Sequence, residues 1–272
     1  MKKLYRISLK YLQFYFFKCI NFFLYKFEFK IIPDITSFDK LSFDYSNKTR
    51  RLVLRKDKNK FDKIYFDSTN SETELCALGR RFKTNKSSLN LDGHRSGYTG
   101  FYSIIFQHLK EKNCNVAEIG IEKNGSTKMW RGYFTKALIY CFEKDGEKIN
   151  FAKKQKLNNV KYQYIDVRNP EIIKKSFNKT NKKFDVIIDD STHEFEHQIN
   201  IIHNVHKYLK KGGFLIIEDI YKFRTKHNEK KYYQKLKSLK KIFSKISFIE
   251  FSHANNFTAS WKCEKILYLI KK

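Results

Sequence analysis

The sequence contains few of the residues that mark fibrous, disordered or disulfide-stapled proteins. Its 272 residues include 2 prolines and 10 glycines, which argues against collagen-like structure and long disordered segments. The 5 cysteines are widely spaced without a C-x-x-C pair, so neither a disulfide framework nor a structural zinc site is predicted, and a reducing compartment fits best. With 41% apolar residues, this length suits one ordinary domain with extensions.

Acidic residues are also scarce relative to basic ones, 28 against 56, which gives a formal net charge of +28. Such a charge permits binding to nucleic acid, anionic lipid or acidic glycans. Lysine far outnumbers arginine and no arginine-rich block occurs, so we interpret the charge as spread over solvated faces and expect no nucleic-acid partner. A non-catalytic nucleic-acid- or membrane-binding protein is the non-enzymatic alternative.

Residues 1–30 are dense in aromatic side chains, but Lys10, Lys18 and Lys26 interrupt them. The apolar runs are far shorter than the roughly 20 residues of a membrane span. No small-residue cleavage site follows, so no signal peptide is predicted. Two interpretations stay open: an amphipathic helix lying on an anionic membrane, or a helix packed on the domain or on a second subunit in a homo-oligomer. The predicted location is the cytoplasm, with or without membrane association.

Residues 31–75 carry two short strand signals, Arg50–Leu54 and Lys63–Asp67, around the polar turn Lys56–Lys60. We predict a small accessory hairpin there. The expected organisation is therefore an N-terminal segment (1–30), an accessory hairpin region (31–75) and a main domain (76–272).

The main domain is organised around the stretch Phe184–Asp219. Two apolar runs, Val186–Ile188 and Phe214–Ile217, flank a segment of helical periodicity that ends in a basic turn and two glycines. A crossover of this length predicts two parallel strands buried on both faces. Each run ends in an acidic pair, Asp189–Asp190 and Glu218–Asp219, at the sheet edge where open parallel sheets bind ligands.

A second ligand-binding feature lies at Asn115–Gly125, a short strand leading into a glycine turn. Gly120 allows the backbone to approach a ligand closely, and Gly125 is expected to adopt a positive φ. Ser126 is predicted to cap the following helix, whose N-terminus offers free N–H groups to an anion. Alone, this turn is a weak signal, because ordinary strand-to-helix turns also contain glycine.

Acidic residues end the next two predicted strands as well. Glu143 follows the glycine turn at about 20 residues, where such folds bind ribose hydroxyls. Asp166 ends the strand after it, so four successive strands end in acids. After a lysine-rich helix, the strands Ser247–Ser252 and Lys265–Ile270 are separated by a short loop and should pair antiparallel.

From about Cys76 to Lys272 the chain resembles class I S-adenosylmethionine-dependent methyltransferases. More narrowly, it resembles the metal-dependent sugar O-methyltransferases of the macrocin and mycinamicin type. The motifs that carry the resemblance, in family order, are FKTNKSS (82–88), SGYTGFY (96–102), AEIGIEKNGSTKMWRGYF (117–134), IYCFE (139–143), YIDVRNPE (164–171), FDVIIDDSTHEFEH (184–197) and LKKGGFLIIEDI (209–220). The chain departs from the family at Asn124–Gly125, where a glycine pair is usual, and at Cys141–Glu143, where Gly-Ile-Asp is usual.

The resemblance implies an α/β fold, a doubly wound, Rossmann-like sheet of seven strands that are mostly parallel with an antiparallel last strand. It implies S-adenosylmethionine as cofactor, methyl transfer to a hydroxyl, and a sugar or glycan acceptor. It also implies that the cofactor lies over the glycine turn, with ribose at Glu143 and adenine near Asp166. The residues assigned to the cofactor site are Glu118, Gly120, Gly125, Ser126, Glu143, Asp166 and Asp189.

The acidic ends of two adjacent strands suggest a metal site. Asp190, Glu218 and Asp219 can converge on one cation, and an all-oxygen cluster favours Mg²⁺ or another hard divalent ion. Such an ion can bind sugar hydroxyls and lower a hydroxyl pKa. His193 follows Asp190 closely and is the predicted general base that removes the hydroxyl proton.

Two other enzymatic interpretations compete with this one. The segment His193–His197 reads HEFEH, which matches the H-E-x-x-H helix of zinc metallopeptidases and its inverted form. That motif requires its own structural context, whereas here it follows a predicted parallel strand and no third ligand stands out downstream. The net charge suggests a nucleic-acid methyltransferase, which would leave the acidic cluster without a purpose.

Overall fold

The structure is a computed structural model that describes residues 15–16, 19–20, 22, 29–32, 50–53, 60–90, 96–221, 227–252 and 265–272. The chain divides into two compact units, Met1–Lys58 and Asn59–Lys272. In the first unit, strand β1 (Phe29–Ile32) pairs in parallel with β2 (Arg50–Val53).

Most of the aromatic segment 1–30 lies outside the described residues, so its proposed attachment to a membrane or a second subunit stays a prediction. The described positions of this segment before β1 are helical, and Tyr15, Phe16 and Phe22 are exposed there. Within the described ranges, no helix is long and apolar enough to cross a membrane.

The second unit alternates strands and helices along most of its length. Its strands are β3 (Asp62–Asp67), β4 (Asn115–Ile119), β5 (Leu138–Glu143), β6 (Val160–Tyr164), β7 (Phe184–Asp189), β8 (Leu209–Ile217), β9 (Phe243–Ser252) and β10 (Lys265–Lys271). Its helices are α1 (Glu74–Arg81), α2 (Tyr98–Phe106), α3 (Gly125–Tyr133), α4 (Gly146–Lys154), α5 (Pro170–Asn178), α6 (Phe195–Val205) and α7 (Glu229–Leu236).

The eight strands of this unit form one sheet in the order β3-β9-β10-β8-β7-β4-β5-β6. Strand β10 runs antiparallel to both of its neighbours, and the other described pairs in the sheet are parallel. The predicted mostly parallel, Rossmann-like sheet with an antiparallel last strand is therefore confirmed. The sheet gains one more strand than the seven predicted, because β3 adds to its edge.

The predicted hairpin of Arg50–Leu54 with Lys63–Asp67 is wrong. Strand β2 pairs with β1, whereas β3 pairs in parallel with β9, in a register that sets Asp62 against Ser247. The local strand signals were correct, but a strand signal does not specify its partner, and β9 offered an open edge. The sheet-bearing unit consequently begins at Asn59, before the predicted domain start at Cys76.

Alternation along the central strands distributes their side chains over two cores. Val186, Ile188 and Ile216 face a core built with α1, α2 and α3. Ile187 and Leu215 face the opposite core, built with α5, α6 and α7. Because helices cover both faces of the sheet, these strands require near-continuous apolar runs. The acidic residues occur at or next to the carboxyl ends of the strands.

A partly buried ion cluster attaches β3 to the rest of the unit. The Glu229 carboxylate lies 2.8 Å from Lys63 Nζ and 3.1 Å from Lys265 Nζ, and the Lys265 side chain is buried. Burial opposes ionisation of Glu229, but the two ammonium groups outweigh it and lower its pKa. The Glu229 carboxylate thus pairs with a lysine of the edge strand β3 and with the buried lysine of β10, so loss of this one carboxylate would leave both lysines without it.

Glu229→Gln should lower the free energy of unfolding by about 3 kcal/mol, measured by urea titration, because Lys265 stays buried without its partner. The control Asp62→Asn removes an exposed ion pair between β3 and β9, in which Lys245 Nζ lies 2.7 Å from Asp62 Oδ2. This variant should lower the free energy of unfolding by less than about 1 kcal/mol. Equal losses in the two variants would contradict this account.

Candidate active site

A cavity of about 1050 Å³ opens at the carboxyl ends of the central parallel strands. Most of the residues singled out in the sequence line it: Gly120, Gly125, Ser126, Glu143, Asp166, Asp190, His193 and Asp219. The remaining three, Glu118, Asp189 and Glu218, are buried behind the lining.

The glycine turn after β4 is shaped by two different constraints. Gly120 has a φ of +89°, and a Cβ at this position would collide with the carbonyl oxygen of Asp190. Gly125 does not have the predicted positive φ. Asn124 takes the left-handed conformation instead, with φ 66°, and a Cβ on Gly125 would lie 2.8 Å from the carbonyl oxygen of Phe82. Gly125 is thus required for close packing, while asparagine tolerates the left-handed backbone beside it.

Glu118 and Ser126 act differently from the prediction. Helix α3 begins at Gly125 with Asn124 as its N-cap, so Ser126 lies inside the first turn and is not the cap. The Glu118 carboxylate accepts hydrogen bonds from the Thr127 hydroxyl and from Trp130 Nε1, both at 2.9 Å, and burial raises its pKa. Glu118 therefore fixes helix α3 to strand β4 beneath the cavity.

Two further acids sit at the cavity edge on neighbouring strand ends. The Glu143 carboxylate accepts a hydrogen bond from the backbone N–H of Ile121 at 3.2 Å. It also accepts hydrogen bonds from the backbone N–H groups of Lys144 at 2.8 Å and Asp145 at 3.1 Å. Asp166 accepts hydrogen bonds from Arg168 Nε at 2.9 Å and Arg168 Nη2 at 2.6 Å, and these bonds lower the pKa of Asp166 well below its usual range. Both carboxylates are thus preorganised as acceptors facing the cavity.

The acidic cluster forms where β7 and β8 end. Asp190, His193 and Asp219 each place one ligand atom within 4.8 Å of the others, and His193 Nε2 lies 3.5 Å from Asp219 Oδ2. His193 and Asp219 have φ values of 55° and 53°, the left-handed region that costs about 1–3 kcal/mol outside glycine. Such strain at adjacent site residues is typical of positions held for chemistry rather than for packing.

Asp189 turns away from this cluster. Its carboxylate accepts hydrogen bonds from the Ser191 hydroxyl at 2.6 Å and from the Ser191 N–H at 3.2 Å. Burial raises the pKa of Asp189 to about 7. The side chain therefore shapes the loop that carries Asp190, and the structure does not bring it to the cavity surface.

Three residues that the sequence analysis left without a role converge on the same carboxylates. Lys86 is buried, and its ammonium donates to Asp190 Oδ2 at 2.5 Å and to Glu218 Oε2. Burial works against its charge, but the two carboxylates outweigh burial and raise the pKa of Lys86. The two others, Tyr98 and Tyr102, lie on helix α2.

The hydroxyl groups of Tyr98 and Tyr102 donate to Asp219 Oδ1 and Glu218 Oε1, each at 2.7 Å. Burial raises the pKa of both tyrosines, so they remain hydroxyl donors. The motifs FKTNKSS and SGYTGFY, which carry these three residues, were the available sequence signal.

The structure does not favour the zinc-peptidase interpretation of HEFEH. Helix α6 begins at Phe195 with Glu194 as its N-cap, so the left-handed His193 precedes the helix. His193 and His197 therefore do not share a helix face, and His197 Nδ1 instead lies 2.8 Å from the Thr192 hydroxyl.

The donor set of the cluster fits a hard divalent cation. Asp190 and Asp219 offer carboxylate oxygens at the cavity, and the imidazole of His193, the predicted general base, lies beside them. Oxygen-rich sites with water access suit Mg²⁺ or Mn²⁺. Glu218, the third predicted ligand, is buried behind them, where its two oxygens accept from Lys86 and Tyr102.

Curated proteins similar to this chain are sugar-type O-methyltransferases, although no protein-family model matches it. Demethylmacrocin O-methyltransferase of Streptomyces fradiae is 28% identical over 160 residues, or 56% of this chain and 38% of that protein. L-olivosyl-oleandolide 3-O-methyltransferase of Streptomyces antibioticus is 26% identical over 161 residues, or 57% of this chain and 39% of that protein. The chain thus spans well under half the length of these relatives.

A solved structure shares the fold. MycE methyltransferase of the mycinamycin biosynthetic pathway, in complex with Mg, SAH and mycinamycin VI, superposes with a TM-score of 0.55 and 19% sequence identity. The match covers 74% of this chain and 55% of that one. In sequence the chain is therefore similar to sugar O-methyltransferases of the macrocin type, and its fold is that of a Rossmann-like methyltransferase.

Proposed function

We propose that this chain is an S-adenosylmethionine-dependent O-methyltransferase that acts on a sugar hydroxyl of a glycan or glycosylated metabolite. The observation that carries the proposal is the placement of Asp190, His193 and Asp219 at the cavity that the glycine turn also lines. The relatives named above are sugar or macrolide O-methyltransferases, which supports a sugar-type acceptor and does not favour a nucleic-acid methyltransferase.

The cofactor would lie along the glycine turn. Gly120 leaves the backbone open there, Glu143 would accept hydrogen bonds from the ribose hydroxyls, and Asp166 would lie near the adenine. When bound, S-adenosylmethionine supplies an activated methyl group that needs no further electrophilic help. The protein's task is then to align the acceptor hydroxyl and remove its proton.

Asp190 and Asp219 at the cavity, together with Glu218 behind them, would hold the divalent ion, which when bound would lower the pKa of a coordinated hydroxyl. His193 would accept the hydroxyl proton at Nε2, because its Nδ1 is buried and Nε2 lies beside Asp219. Tyr98 holds the Asp219 carboxylate through Oδ1 and so fixes its orientation. Proton removal from the acceptor thus needs preorganised carboxylates and an imidazole nitrogen placed beside them.

Calorimetry and a transfer assay together test the proposal. Titration of the purified protein with S-adenosylmethionine should give a saturable isotherm without added nucleic acid. Methyl transfer from labelled cofactor to members of a panel of glycosides should require Mg²⁺ and stop when excess chelator is added. Absence of binding heat in folded protein, or full transfer in the presence of chelator, would contradict the cofactor and the metal parts respectively.

A further inference from the structure

Positive charge is concentrated at the amino ends of the sheet strands, opposite the cavity. The acidic residues of the candidate active site lie at the carboxyl ends of the same sheet. The charge is thus less evenly spread over the solvated faces than the composition suggested. Six exposed lysines, which we call the lysine face, lie in or just before the first residues of β7, β8 and β9: Lys182, Lys183, Lys207, Lys211, Lys240 and Lys241.

Strand pairing brings these lysines onto one continuous surface. Strands β9, β10, β8 and β7 are neighbours in that order, and Phe184 at the start of β7 is paired with Leu209 at the start of β8. Because β10 runs antiparallel, its last residues reach the amino ends of its neighbours. Lys271 Nζ there donates to the carbonyl oxygens of His206 and Leu209, at 3.1 and 2.9 Å. Four neighbouring strand ends give a basic strip on the order of 15 Å across.

Like charges are held close together at the centre of this strip. Lys183 Nζ donates to the carbonyl oxygen of Lys207 at 2.6 Å, and the ammonium groups of both residues lie over the ring of Tyr208. Burial and the nearby charge of Lys183 lower the pKa of Lys271. Carbonyl oxygens and an aromatic ring therefore hold cations that repel one another, and a bound anion would relieve that repulsion.

Neighbouring carboxylates leave the charge of the lysine face in place. Asp185 on β7 and Asp62 on β3 lie at the same strand ends, but they already pair with Lys210 at 2.8 Å and with Lys245 at 2.7 Å. Across the described ranges, no residue of the lysine face forms an ion pair with a carboxylate. The surface therefore presents a net positive charge to whatever approaches it.

The composition of this surface fits an anionic bilayer better than a nucleic acid. All six residues are lysines, whose compact, hydrated ammonium groups bind diffuse negative charge without the bidentate phosphate geometry of arginine. Surfaces that bind single-stranded nucleic acid add aromatic rings on which bases stack, whereas Tyr208, the ring beneath the lysines, is buried. A lipid surface requires charge alone.

We propose that the lysine face docks on an anionic lipid surface and that the cavity, at the other ends of the strands, is directed away from it. Each lysine near such a surface strengthens binding about fivefold. The same surface would repel the acids at the cavity, so attraction at one end and repulsion at the other would orient the unit. This docking goes beyond the proposed function and uses no residue of the segment 1–30.

Vesicle flotation of the full chain tests the docking without cofactor or acceptor. Wild type should float with phosphatidylcholine vesicles that contain about one third phosphatidylserine, and should not float with phosphatidylcholine alone. Raising the salt concentration should release it. The variant Lys182→Gln/Lys207→Gln/Lys211→Gln/Lys241→Gln removes four exposed charges, which should leave the fold intact and weaken vesicle binding by about 100-fold or more.

The matched control removes four positive charges from exposed positions near the cavity end of the same unit: Arg80→Gln/Arg81→Gln/Lys230→Gln/Lys231→Gln. The two arginines directly precede the cavity-lining Phe82, and the two lysines lie in the first turn of α7. This variant has the same net charge as the lysine-face variant. Its affinity for phosphatidylserine vesicles should stay within about threefold of wild type.

Four results would overturn the inference. Equal weakening in the two variants would show that net charge alone drives binding. Undiminished flotation of the lysine-face variant would assign attachment to another part of the chain, such as residues 1–30. Wild type that ignores phosphatidylserine vesicles would exclude the docking. A single-stranded RNA that wild type binds more tightly than these vesicles, and that the lysine-face variant loses, would identify a nucleic acid as the partner.

Discussion

His193→Ala should lower the rate constant of methyl transfer by about 10²–10⁴-fold, the usual contribution of a positioned acid–base group. The cofactor and the divalent ion should still bind, because Asp190, Asp219 and the glycine turn are unchanged. Single-turnover transfer from labelled S-adenosylmethionine measures the rate, and calorimetry measures both affinities.

The matched control is His197→Ala. His197 lies in the first turn of helix α6, close to His193 in the sequence, and its Nδ1 contacts the Thr192 hydroxyl. Because it takes no part in the cluster, its replacement should leave the transfer rate within about twofold of wild type. Loss of Mn²⁺ binding in His193→Ala would show that the imidazole is a metal ligand and would contradict its role as base.

Gly120→Ala should abolish measurable cofactor binding or weaken it strongly, and should lower the free energy of unfolding by about 3 kcal/mol. Two costs combine at this position. Alanine at φ +89° is strained, and its Cβ would push against the carbonyl oxygen of Asp190, which would displace the loop that carries Asp190. Urea titration and calorimetry with S-adenosylmethionine measure the two effects.

Gly146→Ala provides the control for this prediction. Gly146 is the first residue of α4, its φ is not in the left-handed range, and a Cβ there would meet nothing within 4 Å. Alanine is also the better helix former, so stability should be unchanged or slightly higher. If Gly120→Ala bound the cofactor as tightly as Gly146→Ala, the cavity over the glycine turn would not be the cofactor site.

The mostly parallel sheet and the location of the site were predictable because both follow from where polar residues interrupt buried strands. Parallel strands covered on both faces must be apolar along their length, so Asp190 and Glu218 mark the positions where β7 and β8 end. Neighbouring carboxyl ends share one sheet edge, which is why acids far apart in the sequence could be assigned to one site.

The pairing of Lys86 with the acidic cluster could not be predicted from the sequence, for a physical reason. In a chain with 56 lysine and arginine residues, one more lysine in a polar loop carries no periodicity and no contrast with its surroundings. Its importance arises only from burial against Asp190 and Glu218, which is a contact of the folded state. Tyr98 and Tyr102 were similarly ambiguous, since tyrosines on an apolar helix are most often core residues.

The predictions of a positive φ at Gly125 and of a hairpin between the N-terminal strands were wrong because local sequence signals do not determine either feature. Asn124 takes the left-handed conformation, and Gly125 is needed because the carbonyl of Phe82, the residue that ends helix α1, lies against it. Likewise, the residues of β3 have a clear strand pattern, but their parallel pairing with β9 and the contact of Lys63 with Glu229 are long-range features of the folded chain. Local propensity predicts that a segment forms a strand, whereas tertiary contacts determine which strand it pairs with.

The most direct test of the central claim is a crystal structure of the full chain with S-adenosylhomocysteine and Mn²⁺, using anomalous scattering to locate the metal. The account predicts the cofactor over Gly120 and Gly125 with its ribose at Glu143, and Mn²⁺ on Asp190 and Asp219 within the same cavity. Mn²⁺ seated on His193 and His197, or a cofactor bound away from the glycine turn, would contradict it.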